Sequence, residues 1–146
     1  MTSTIDFTAV AQNGTYFVGA TDLDTLDAAA HEEGLLVKRA SLLGCRGKPD
    51  LLERIAAVLQ FPDSFGANWD ALADCLGDLG WLPHADGFVL LFDHASDLRD
   101  AAEPDFDTLL GILEEACTHW KQRGTPFFAL LTLPDEAFPD HPPTSM

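Results

Sequence analysis

Gly87-Phe88-Val89-Leu90-Leu91-Phe92-Asp93 holds five consecutive apolar residues between a glycine and an aspartate. So short a run, with its aromatic and valine content, predicts a strand, and its lack of polar alternation predicts cover on both faces. Working outward, Phe127 to Leu133 makes a second such strand. Leu35 to Leu43 makes a third, interrupted by Lys38 and Arg39, and Tyr16-Phe17-Val18 a short fourth.

Helical spacing fills the intervals. The Ala-rich stretch Leu26 to Glu33 follows Asp22 or Asp24 as a cap and is closed by Gly34. Leu51, Leu52, Ile55, Ala56, Val58 and Leu59 form an apolar stripe, with Pro49 at the first helical position and Pro62 as its stop. Asn68 caps the next helix, where Trp69, Leu72, Ala73, Leu76 and Leu79 share one side and Asp70, Asp74 and Asp78 another. Ala95 to Pro104 is polar and reads as part loop. Phe106, Leu109, Leu110, Leu113, Ala116, Cys117 and Trp120 then define a last helix with Asp105 as cap, ending before Gly124. Apolar strands alternating with amphipathic helices predict one α/β layered domain, a small mostly parallel sheet covered by helices. Pro134, Pro139, Pro142 and Pro143 mark residues 134–146 as a mobile tail.

Charge narrows the function. The chain of 146 residues has a formal charge of -16 and only eight Lys and Arg, which disfavours nucleic acid and anionic membrane surfaces as partners. A 47% apolar fraction with ten Phe argues for a folded core. Between Ile55 and Trp120 there are thirteen carboxylates against a single basic side chain, Arg99. Such a surface fits a cationic partner. Cys45, Cys75 and Cys117 are odd in number and far apart, as expected of reduced thiols in a cytoplasmic protein. Met1 to Phe7 carries Asp6 and no basic residue, unlike a signal peptide, and no apolar run has the length of a membrane span.

Catalytic constellations are hard to assemble. Gly44-Cys45-Arg46-Gly47-Lys48 lacks the spacing and the following Ser or Thr of a phosphate loop, and reads as a strand-to-helix turn. The five histidines, solvated His84 among them, show no metal-ligand spacing. Asp70, Asp74 and Asp78, strung along one helix, cannot converge on a cation as a calcium loop does. Cys75 adjoins Asp74 in sequence but lies on a different helix face, and a carboxylate would raise a thiol's pKa. No catalytic residue, metal or cofactor is expected, and the chain does not read as an enzyme.

The stretch Phe65-Gly66-Ala67-Asn68-Trp69-Asp70-Ala71-Leu72-Ala73-Asp74-Cys75-Leu76, followed by Trp81, resembles the barstar family of intracellular ribonuclease inhibitors. The resemblance implies a barstar-like domain over residues 35–133, with 1–34 an extra strand-helix element packed on the same domain. It also implies that Asp74 is the central inhibitory aspartate, taking the place of a substrate phosphate among cationic catalytic groups. Asp70 is then a second acidic contact and Trp81 a contact aromatic. Gly66 and Asn68 shape the helix entry, while Phe65 and Ala73 belong to the contact surface and Asp78 supplies steering. His119 falls where the family carries a glutamate, with Glu115 one turn earlier as a candidate substitute. Ser64 and Ala73 stand where the family's founder has tyrosine and tryptophan. The expected partner is therefore a basic ribonuclease or ribonuclease-like toxin, with this chain acting as its immunity protein or antitoxin. The alternative is a barstar-fold module for a non-nuclease basic partner.

Overall fold

In the computed structural model, which describes residues 6–62, 65–83 and 85–133, the run from Phe88 forms strand β3 (Phe88–Asp93), buried as far as Phe92. Ser64, His84 and the stretch 134–146 lie outside the described residues. Among the described residues, four strands and five α-helices follow one another as β1 (Gly14–Val18), α1 (Leu23–Glu32), β2 (Leu36–Ser41), α2 (Lys48–Leu59), α3 (Trp69–Leu76), β3, α4 (Ala95–Ala101), α5 (Glu103–Gln122) and β4 (Phe127–Thr132). The sheet order is β1-β4-β3-β2, and every pairing is parallel. Its two central strands, β3 and β4, are the two uniformly apolar segments.

The register explains that apolar uniformity. Phe88 pairs with Phe127 and Val89 with Phe128, so like-facing residues of both strands stay in step. Phe88, Leu90 and Phe92 join Phe127, Ala129 and Leu131 in a core covered by α2, α3, α4 and α5. Val89, Leu91, Phe128 and Leu130 face a second core, closed by Phe7 and by Leu23 and Ala30 of α1. Full burial of each Leu or Phe contributes roughly 1.5–3 kcal/mol, so the alternate faces of two six-residue strands anchor both layers. Gly87 permits the close approach of these strands: a Cβ there would lie 2.6 Å from the Pro126 carbonyl oxygen.

The N-terminal strand-helix element is tied in at two places. The Asn13 side chain donates to the carbonyls of Cys117 (3.2 Å) and Thr125 (3.0 Å) and accepts from the Phe127 amide (2.9 Å), which sets β1 beside β4. On the opposite edge, Arg39 of β2 donates to Asp24 of α1 at 2.8 Å and to Asp93 of β3 at 2.7 Å. These two carboxylates hold the guanidinium firmly in its charged form.

Several sequence expectations are corrected. Neither Asp22 nor Asp24 caps α1 through its side chain: Asp22 makes no such bond and Asp24 serves Arg39. α2 ends at Leu59 because Gln60 turns left-handed (φ 57°), before Pro62 is reached. The polar stretch from Ala95 is a helix, α4, held by buried Ala95 and Leu98. Asp105 does not cap its own helix, which starts at Glu103. Its carboxylate instead accepts from the Lys48 amide at 2.8 Å and so caps α2, while Asp97 accepts from the Gly44 amide at 2.8 Å. The first and last amides of the glycine-containing turn are thus taken by the protein's own carboxylates.

Cys45 and Cys117 are buried, Cys75 partly so, and all three are free thiols. Burial, with a smaller contribution from Glu114, pushes the Cys117 thiol up to about 12. The unfolded chain ionises this thiol near its ordinary value while the folded one does not. Its contribution to stability is therefore complete below the ordinary thiol range and is lost as pH rises toward about 12. Urea unfolding at pH 8 and at pH 10 should show the wild type losing about 1 kcal/mol more than Cys117→Ala across that interval. Equal losses would contradict a buried neutral thiol.

Candidate functional site

α3 is eight residues long, and isolated helices of that length do not hold in water, so its presentation depends on its ends and its underside. Leu72 and Leu76 are buried against the core, with Trp69 and Ala73 packed partly against it. At the entry, Asn68 accepts from the Ala71 amide at 2.7 Å, and its amide group bonds back to the Gly66 carbonyl at 3.4 Å. A Cβ on Gly66 would come within 3.1 Å of that same Asn68 nitrogen. Asn68→Ala should therefore cost about 1 kcal/mol of stability by removing a helix cap, a loss measurable by thermal or urea unfolding.

Backbone strain brackets the helix. Ala67 before it (φ 54°) and Leu79 after it (φ 55°) both hold left-handed conformations that L residues rarely adopt. Strain of this kind, of order 1–3 kcal/mol per residue, tends to gather where geometry is held for a purpose.

Asp70 and Asp74 project from α3 as exposed residues one turn apart, separated by about 6 Å of helix rise. Asp78 is corrected: α3 ends at Leu76, so Asp78 lies in the turn beyond it, where its carboxylate accepts from the Gly80 amide at 3.1 Å. The carboxylate row is two residues on a helix and a third engaged locally. Among the described residues, no Lys or Arg forms an ion pair with Asp70, Asp74 or Asp78; the pairs present join Arg39, Arg54 and Arg99 to other aspartates. Two free carboxylates on one rigid face can each accept paired hydrogen bonds from a guanidinium.

The flanking aromatics form one unit that includes a residue the sequence reading passed over, Phe61. Its ring meets Phe65 edge-on at 4.8 Å and Trp81 edge-on at 5.8 Å, while Trp81 Nε1 donates to the Leu59 carbonyl at 2.8 Å. Phe65 and Trp81 are both half-buried. Trp69, at the first position of α3, has the Lys48 ammonium 5.6 Å from its ring centroid. The sequence places Trp69 on the core side of the helix; the structure leaves it half-buried there. Opposite, α3 and α5 flank a groove lined by Ala73, Asp74 and Gly77 on one side and Ile112, Glu115 and His119 on the other. Glu115 is exposed, whereas His119 is half-buried and bonded to the Gly77 carbonyl. The Cys75 thiol is pushed up first by burial and then by Asp74 and Asp78.

A family profile described as Barstar (barnase inhibitor) matches residues 35–132. The chain belongs to the barstar family. The match begins just before β2 and ends with β4, so β1 and α1 of this barstar-family chain precede it. The family is one of inhibitors of a ribonuclease rather than of enzymes. No curated protein matches the chain. Among solved structures, a chain of Drosophila ORC bound to DNA is similar with a TM-score of 0.50 and 22% identity, over 85% of this chain and 33% of that one. The Aeropyrum pernix ORC2 protein, in ADPNP and ADP complexes, gives 0.49 and 19% over 84% and 34%. This barstar-family chain thus spans about a third of each of those chains, and the first likeness is one of fold alone.

Proposed function

We propose that this chain binds a basic ribonuclease, or a ribonuclease-like toxin domain, and blocks its substrate pocket with α3. The observation that carries the reading is the pair Asp70 and Asp74, exposed on one face of a helix docked along its underside, with no Lys or Arg ion-paired to either among the described residues. Nucleases bind phosphate through clustered cationic groups, and two carboxylates held in fixed positions offer those groups an alternative anion. The family, whose described member inhibits barnase, supports the same assignment. Inhibition would act by occupation, with Phe65 and Trp81 framing the contact, and the free thiols fit a reducing cytoplasmic setting.

The test is a cleavage assay in which the purified chain is titrated against barnase and against any ribonuclease encoded beside it, at low and moderate salt. The expected result is stoichiometric loss of cleavage for at least one enzyme, relieved as salt rises. Undiminished cleavage by all of them would refute the reading.

A further inference from the structure

The last carbonyl of α3 and that of Gly77, the residue after it, do not end in solvent. Leu76 O accepts from Trp120 Nε1 at 2.8 Å, and Gly77 O is met by His119 Nε2 at 3.1 Å. Both donors are consecutive residues of α5, and the two rings pack edge-on at 5.6 Å. The imidazole packs closely over Gly77: a Cβ built there would touch its Cδ2 and Nε2 at 3.6 Å, ordinary van der Waals contact. A carbonyl can only accept, so Nε2 carries the proton and, in the neutral ring, Nδ1 is bare.

We propose that His119 is a positioning residue that fixes the C-terminal end of α3 to α5 and thereby orients Asp74. The proposal rests on the reading of α3 as the inhibitory helix. Asp74 lies three residues before Gly77, on the same side, and both line the groove that His119 also lines. Asn68 fixes the other end. Eight residues lie between Asn68 and Gly77, and Trp120 holds only Leu76, so loss of the His119 bond loosens the chain just after the last turn, in which Asp74 sits. His119 therefore acts on the partner through Asp74, as a clamp on the helix that carries it.

The experiment compares wild type, His119→Leu and His119→Gln, because the glutamine Nε2 amide can reach the same carbonyl. In the free wild-type protein, nitrogen-detected NMR of the ring should show the Nε2–H tautomer. Amide exchange at Gly77, Asp78 and Leu79 should be about fivefold faster in His119→Leu, as loss of one hydrogen bond implies, and close to wild type in His119→Gln. Affinity for barnase should fall about fivefold in His119→Leu and return in His119→Gln. An Nδ1–H tautomer, or unchanged exchange in His119→Leu, would overturn the clamp. So would equal loss of binding in both variants when exchange is restored in His119→Gln, because the imidazole would then be touching the partner itself. If wild type fails to bind barnase or any other ribonuclease tried, the inhibitory reading falls, and tautomer and exchange alone decide the clamp.

Discussion

Asp74→Ala is expected to weaken binding to the target ribonuclease by about 2–5 kcal/mol, the usual loss when one member of a buried charge pair is truncated. Asp74 sits in the second turn of α3, between two fixed ends, and in the complex it would be the anion facing several cationic groups at once. Removing it leaves those groups desolvated and unpaired, so the loss should appear mainly in the dissociation rate. Asp70→Ala should cost less, because Asp70 lies in the first turn, nearer the edge of the face. Asp78→Ala should chiefly reduce the salt dependence and the association rate, since its carboxylate already serves the Gly80 amide. Surface plasmon resonance of the three variants at two salt concentrations makes the comparison. Small, equal losses from all three would contradict a contact centred on Asp74.

Trp120→Ala should be the most damaging stability change near the site, costing about 3–5 kcal/mol by urea unfolding. The Trp120 ring lies parallel to Phe127 (6.3 Å, 4°) and against Phe88 at 5.3 Å, so it joins α5 to the first residues of both central strands. Its Nε1 also holds the Leu76 carbonyl, joining α5 to α3. Against a typical total stability of about 5–15 kcal/mol, that loss would leave the domain marginal. Trp120→Phe keeps most of the ring contact but strands the Leu76 carbonyl, and should cost about 1–3 kcal/mol. The difference between the two variants separates packing from the hydrogen bond. A loss below about 1 kcal/mol in Trp120→Ala would show that α5 does not bear on this junction as described.

What was legible in the sequence follows the range of the forces involved. β3 and β4 could be read because full burial on both faces forces an unbroken apolar run, which short strands display openly. Asn68 and the Asp70 and Asp74 pair could be read because caps and one-turn spacings are local. α4 was obscured because only Ala95 and Leu98 are buried, and two apolar positions make no periodic signal. Asp105 was misassigned because its carboxylate serves a helix far away in sequence, a pairing that no local pattern records. Asp78 continued the four-residue spacing, yet the helix stops at Leu76 and the chain turns through Gly77 to a left-handed Leu79. The N-terminal strand was visible, but its place beside β4 depends on contacts made by Asn13 across more than a hundred residues.

That last pairing bears on how the chain reaches its native state. Asn13 and Phe127, which set β1 against β4, are 114 positions apart. On a ribosome the first strand must wait for the last, while β2 and β3 can meet much sooner. Pairings this distant in sequence close late and slow the search. During that interval one rim of the sheet stays open to other chains, the state in which nascent β-proteins are most easily lost to aggregation. The chain's strong negative charge, described above as a means of meeting a cationic partner, also keeps such half-made molecules apart.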